Sequence, residues 1–261
     1  MNKIVLTIIL SFFISFSVTA DTDGENSLSN KKTKPVKDCF EGLNRGIFAF
    51  NQGLDRAIFE PLAKGYRYIP SPIRTGSSNF IGNLSNLITI PNNILQGDIQ
   101  KAGSNTIRFV LNTTIGVLGV FDTAAALGFE KENKEDYGQT LGAWGMGPGC
   151  YLVLPILGPS TVRDTIGTVV NFVGGDPWYN VTVRNDTNYF NESDFYTTRI
   201  TGGIDYRSKN IESFDSLEEN AIDLYASIRS LYLQDRNRKI SNSKTVTDTM
   251  DDSDWEEVES N

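Results

Sequence analysis

The 261-residue chain carries 24 Lys and Arg against 32 Asp and Glu, and 39% of it is hydrophobic, which places it within the globular range. It has no histidine, so Ser-His-Asp and Cys-His nucleophile systems are excluded and the commonest zinc ligand is missing. Residues 241–261 hold seven acids against Lys244 alone, or −6 of the formal −8; the remainder is near neutral, with no basic face to track phosphates, which argues against nucleic acid as a partner.

In chain order, residues 1–20 read as a secretory signal. Lys3 supplies the positive start, Ile4 to Val18 is apolar apart from Thr7 and three serines, and Val18-Thr19-Ala20 offers a small-residue cleavage site. The alternative is a retained anchor, for which the apolar run is short. Residues 21–37 read as a flexible linker, 38–240 as one folded domain, and 241–261 as a disordered acidic tail. Cys39 and Cys150 are the only cysteines; export would let them pair, and two buried thiols are the alternative.

Within the domain, Phe40, Leu43, Ile47, Phe50, Leu54 and Ile58 recur at helical spacing, Asp38 and Glu41 resemble a capping box, and Pro61 marks a stop. The opposite side of this helix carries Phe48 and Phe59 among Asn44, Asn51 and Asp55, so the helix is either buried on two sides or touches lipid. Ile73 to Leu95, interrupted by Gly76, Gly82 and Pro91, predicts short kinked helices. A further helix starts near Asp98, carries Arg108 and Asn112, and ends near Gly116.

Residues 138–164 are dense in glycine and proline yet also hold Trp144, Tyr151 and the apolar run Leu152 to Leu157, which predicts a fixed, irregular, apolar segment. Thr161 to Val173 predicts another helix. Trp178 to Arg207 has little period; it reads as helix, though Thr182, Val183 and the neighbouring β-branched residues would allow a strand. Ser216 and Glu219 form a second capping-box pattern ahead of a stripe of Leu217, Ala221, Leu224, Ile228 and Leu231, with Arg229, Arg236, Arg238 and Lys239 toward the C-terminal end.

No catalytic motif emerges. Gly158-Pro159-Ser160-Thr161-Val162 lacks the second glycine of a nucleophile elbow, and Gly145 to Gly149 has neither phosphate-loop spacing. Asp122-Thr123-Ala124 lacks the glycine of the aspartic-protease triplet and any partner triplet. A two-carboxylate hydrolase needs only spatial proximity, so that reading stays open at this level.

The order and spacing of several motifs resemble the MlaA family, also called VacJ. They are Asp38-Cys39-Phe40-Glu41-Gly42-Leu43-Asn44-Arg45, Phe48-Ala49-Phe50-Asn51, Asn79-Phe80 with Asn83-Leu84, Leu95-Gln96-Gly97, Arg108-Phe109 with Asn112 to Gly116, and the Gly/Pro block. Ile204-Asp205-Tyr206-Arg207 and Asp223-Leu224-Tyr225 look similar too. The resemblance implies an all-α, single compact ring-like domain, without metal or cofactor, embedded in the inner leaflet of a Gram-negative outer membrane. It implies a non-enzymatic phospholipid conduit with an amphipathic channel that removes mislocalised phospholipid from the outer leaflet. Its implied partners are phospholipid, an outer-membrane porin trimer and a soluble periplasmic carrier of the MlaC type. A structural or chaperone-like partner of outer-membrane proteins is the alternative.

Polar residues inside otherwise apolar helices are the candidate channel lining: Asn79, Asn83, Asn92, Asn93, Gln96, Arg108, Asn112, Arg163 and Asp164. Mutation of Arg108 and Asn112 is expected to impair transfer without unfolding. Phe48, Phe50, Phe59, Trp144 and Tyr151 are expected to face the membrane. One departure from the family is the absence of a lipobox, since Ala20-Asp21 follows the signal and Val36-Lys37-Asp38 precedes Cys39. Lipid anchoring is therefore not expected, and membrane residence on the periplasmic side would rest on inserted helices and a porin. At Cys39 and Cys150 the family often has proline.

Overall fold

The computed structural model describes residues 36–184 and 190–241; the signal, nearly all of the linker and the acidic tail after Ser241 lie outside the described residues. Helix α1, Glu41–Leu54, begins without a side-chain cap. Asp38 is drawn instead into tertiary bonds, accepting from the Asn44 amide at 2.7 Å and from the Tyr225 hydroxyl. Pro61 does not stop the helix. A π turn, Asp55–Phe59, passes the chain into α2, Glu60–Tyr66, whose first turn holds the proline where a missing N–H costs least.

Helix α3, Ser71–Leu95, is one 25-residue helix in place of the kinked pieces expected. Gly76 serves close approach, since a Cβ there would lie 3.0 Å from Val120, whereas a Cβ at Gly82 would meet nothing within 4 Å. Pro91 sits in the last turns, so it removes only one late hydrogen bond. Gly97 at φ +80° reverses the chain into α4, Ile99–Thr114, which Asp98 caps by accepting from the Lys101 N–H. The short α5, Thr123–Ala126, is capped by Asp122. An extended segment then reaches α6, Tyr137–Ala143, capped by Asp136.

The Gly/Pro block is more regular than its composition suggested. Its start belongs to α6, and Tyr151–Leu154 (β1) pairs antiparallel with Gly158–Thr161 (β2), Tyr151 opposite Thr161. Pro159 is tolerated because this two-stranded hairpin consists only of edges. The free edge of β1 is covered by amides of α1. Asn44 donates to the Tyr151 carbonyl at 3.0 Å and accepts from Val153 N–H at 2.9 Å, and Asn51 does the same for Leu154 and Ile156 at 2.9 and 2.8 Å. Cys39 and Cys150, at the starts of these two elements, are joined in a disulfide with Cα atoms 5.6 Å apart.

Thr161 caps α7, Val162–Val170. Where a strand was open near Thr182, two π turns flank the short helix α8, Pro177–Tyr179, and α9, Glu192–Lys209, follows with a capping box of Asn191 and Asp194. The final stripe is split. Ser216 lies inside α10, Ile211–Asn220, and Asp223 caps a separate α11, Leu224–Ile240. Asp223 wins because its carboxylate accepts from Ala226 N–H at 3.1 Å and binds Arg45 at 2.7 Å, fixing the break. The fold is all-α apart from the hairpin.

Around the hairpin, Tyr151, Val153 and Tyr225 form the apolar core cluster, with Ile47, Phe48, Tyr232 and Leu233 packed against it. Elsewhere the usual polarity is inverted. Among the described residues, eight apolar side chains are buried against twenty-two polar or charged ones, while Ile73, Ile107, Val110, Ile115, Phe121 and Trp144 stand exposed. Among those residues no helix is long and apolar enough to cross a membrane.

Candidate functional site

The inverted polarity is clearest where α3 meets α4. On α3, Asn79, Asn83, Asn86 and Asn93 recur at helical spacing, and on α4 Asn105, Arg108 and Asn112 do the same, while Ile107, Val110 and Ile115 point outward. The asparagines of α3 also hold the α4–α5 connection. Asn83 donates to Thr113 at 2.8 Å, and Asn79 donates to the Val120 carbonyl at 3.3 Å. Gly119, at φ +94°, presses on Asn83 so closely that a Cβ would sit 2.5 Å away.

Between the two helices lies a polar cavity of about 200 Å³. Four of the expected residues line it, namely Asn79, Asn83, Arg108 and Asn112, together with Asp122, Lys131 and Lys134. Arg108 is buried and binds both oxygens of Asp122 at 2.8 and 2.9 Å, and it also donates to the Phe129 carbonyl. Asn112 donates to Asp122 at 3.1 Å and accepts from Ala124 N–H at 2.9 Å. Arg108 and Asn112 therefore anchor α5, and their removal disturbs the fold as well as the cavity. Burial alone would raise the Asp122 carboxyl, yet Asn112, Lys131, the Ala125 N–H and Arg108 together hold it below its ordinary value.

An apolar groove of about 840 Å³ adjoins this cavity. Ile73, Phe80, Val120 and Phe121 line it, and Asn79 and Asp122 belong to both spaces. A third cavity of about 220 Å³, of mixed character, also has Lys134 in its wall, with Glu135, Asp136, Asp176 and Arg199 beside Ile81, Leu84, Ile88 and Trp178. Lys134 is common to the first and third cavities. Its side chain lines the cavities and meets solvent, but the protein packed around it, with Arg108 and Lys131 near, pushes its pKa down to about 8. Glu135 is buried; desolvation raises its pKa although Gln96 donates to it at 3.0 Å.

The remaining expected lining residues lie in none of these three cavities. Asn92, Asn93 and the half-buried Gln96 make side-chain bonds at the end of α3: Asn92 accepts from Thr140 at 2.6 Å, Asn93 accepts from Asn105 at 3.0 Å, and Gln96 donates to Thr140 at 3.1 Å. Arg163 and Asp164 belong to an ion cluster with Arg236 of α11. Arg236 reaches Asp136 at 2.6 Å and Asp164 at 2.8 Å, and Tyr232 donates to Asp164 at 2.7 Å. Burial would raise the Asp136 carboxyl, but Arg236 holds it at about 2.

Two aromatic expectations are corrected. Tyr151 is 0% exposed at the centre of the apolar cluster, because as the first residue of β1 it points at α11 and meets Tyr225 and Tyr232 edge-on. Phe48 is half-buried against Tyr225, on the side of α1 that faces the hairpin. Phe59 is half-buried, whereas Phe50 is exposed. Trp144 is also exposed, with its indole N–H bonded to the Leu95 carbonyl at 2.9 Å. Lys131 and Lys134 escaped sequence reasoning, since residues 127–136 have no period and a lysine in a loop reads as solvated. Asp122 did carry a signal, as an N-cap residue before Thr-Ala-Ala.

A helical chain that buries polar side chains, exposes apolar ones and holds adjoining polar and apolar cavities belongs to the class of proteins suited to contact with amphiphiles. The sequence profile of the MlaA lipoprotein family matches residues 36–239. The chain is 31% identical to the intermembrane phospholipid transport system lipoprotein MlaA of Haemophilus influenzae, over 94% of this chain and 93% of that one. To the protein of the same name from Escherichia coli it is 34% identical over 76% of each, and to an uncharacterized Rickettsia bellii protein 34% identical over 92% and 93%. A solved structure reported as the structural basis for maintenance of bacterial outer membrane lipid asymmetry superposes with a TM-score of 0.66 at 32% identity, covering 78% of this chain and 99% of that one. The chain belongs to the MlaA lipoprotein family.

Proposed function

We propose that this chain is the outer-membrane component of an intermembrane phospholipid transport system, taking mislocalised phospholipid from the outer leaflet and maintaining lipid asymmetry. The relatives' names support the system, and the adjoining cavities of the chain itself support the chemistry. The carrying observation is that Asn79 and Asp122 stand where the apolar groove passes into the polar cavity between α3 and α4. A phospholipid needs both surfaces at once, because an unpaired polar headgroup in an apolar setting costs roughly 2–7 kcal/mol. Asn79, Asn83, Arg108 and Asn112 supply polar contacts, and Ile73, Phe80 and Phe121 take the acyl chains.

In this reading the exposed apolar side chains of α1 and α4 rest in the periplasmic leaflet of the outer membrane, against a porin trimer, and lipid leaves to a soluble carrier of the MlaC type. In this reading a signal peptide delivers the chain to that side of the outer membrane. The test is reconstitution with fluorescent phospholipid and a purified carrier. Phospholipid should co-purify with the chain and pass to the carrier; a chain that holds no lipid and transfers none refutes the reading. Fractionation adds a second check, since recovery wholly in the soluble periplasm would refute membrane residence.

A further inference from the structure

The cations lining the first and third cavities are not equivalent. Arg108 and Lys131 are bound to Asp122 at 2.8 and 3.2 Å, and Arg199 is bound to Asp176. Lys134 makes no ion pair among the described residues: its ammonium donates only to neutral oxygens, the Gly82 carbonyl at 2.9 Å and the Asn86 amide oxygen at 2.5 Å. An ammonium has three donors, so one remains for an incoming acceptor. Lys134 is also the one residue that lines both the first and the third cavity, so it borders a headgroup held in either.

We infer that Lys134 is the specificity-determining cation of the lipid path, recognising the phosphodiester of the headgroup from its place in the wall of both cavities; this rests on the phospholipid-transport reading. The groups facing Lys134 are Arg108, Asp122, Lys131 and Glu132 on one side and Glu135, Asp136, Asp176 and Arg199 on the other. Besides Lys134, the first cavity holds two cations and two carboxylates and the third holds one cation and three carboxylates, so the approach from the first cavity is the less acidic one for an anion. The protein packed around the Lys134 ammonium, with Arg108 and Lys131 near, disfavours its charged form, and its pKa sits near 8. A bound phosphodiester, anionic throughout this range, favours that charged form. Binding should therefore weaken as pH rises through about 8, where the free protein loses the proton.

The experiment uses the full chain in detergent and two short-chain probes with identical acyl groups, a phosphatidylglycerol and a diacylglycerol without phosphate, titrated calorimetrically. Lys134→Gln should bind the phosphatidylglycerol roughly tenfold more weakly, as expected for a lost charge-assisted bond, and bind the diacylglycerol as the native chain does. Lys134→Arg should restore affinity and abolish the weakening above pH 8. Equal affinity of Lys134→Gln and the native chain for phosphatidylglycerol overturns the inference, as does an equal loss for both probes. Competition by inorganic phosphate at probe concentrations would assign the site to free phosphate and overturn it too. If Lys134→Gln fails to fold, the native chain's pH profile decides, and a profile flat from pH 6.5 to 9.5 overturns the inference. A native chain that binds neither probe instead refutes the transport reading itself.

Discussion

Replacing Arg236 with methionine should be among the most damaging single changes in the protein. Its guanidinium is shared by Asp136, at 2.6 and 2.9 Å, and Asp164, at 2.8 Å. Asp164 is 7% exposed and would keep Arg163 at 3.1 Å and Tyr232 at 2.7 Å, so it loses one of two cations. Breaking a buried pair costs about 3–5 kcal/mol, and the surviving Arg163 places this case at the low end. Asp136 is 40% exposed, so solvent screens its pairing and it adds no more than about 1 kcal/mol. With roughly 3 kcal/mol lost from a fold of some 200 residues, the melting temperature should drop by about 6–12 °C.

The same variant has a signature in pH. Asp136 titrates near 2 in the fold against an ordinary 3.8, so its contribution is present above about pH 4 and is lost as pH falls toward 2. Circular-dichroism melts should show this acid-side loss in the native chain and a flatter profile in Arg236→Met. Arg236→Lys should fall between them, because an ammonium cannot span two carboxylates in a fork. A variant that melts within about 2 °C of the native chain at pH 7 would refute the argument.

Gly167→Ala should lower stability by about 2–3 kcal/mol in thermal melts, since its Cβ would sit 2.3 Å from the Gly138 nitrogen where α7 crosses α6. Tyr151→Phe should melt as the native chain does, because the buried Tyr151 hydroxyl has no hydrogen-bond partner among the described residues, whereas Tyr151→Ala should cost about 3–5 kcal/mol. Reducing the Cys39–Cys150 bond, which spans 111 residues, should cost roughly 2–4 kcal/mol and slow migration on a denaturing gel; unchanged mobility would show that no bond was present.

Local signals were legible in the sequence and tertiary ones were not. Asp98 and Thr161 announced their helices because capping is decided within four residues. Asp38 and Ser216 carry the same pattern and do not cap, since Tyr225 and Asn44 claim the first and α10 runs through the second. The break expected at Gly76 did not occur because this glycine admits Val120 at close range, a fact that belongs to the neighbour. In the site, Arg108 and Asn112 were visible as polar residues on an apolar helix. Arg163 and Asp164 met the same criterion for a different reason, the partner Arg236 some seventy residues on. Lys134 was invisible because its meaning comes from two cavities that the chain assembles around it.

The inverted interior also bears on the thermodynamics of unfolding. Opening a fold that conceals mostly amides and ion pairs wets little new hydrocarbon, and polar exposure lowers the heat capacity rather than raising it. The unfolding increment per residue should therefore lie below the usual ~12–15 cal/mol/K, and the denaturant slope should be shallow for the chain's length. Such a molecule has a flat stability curve. Its stability should change little with temperature near the maximum of that curve, and melts in detergent should show whether covering the exposed apolar side chains raises it.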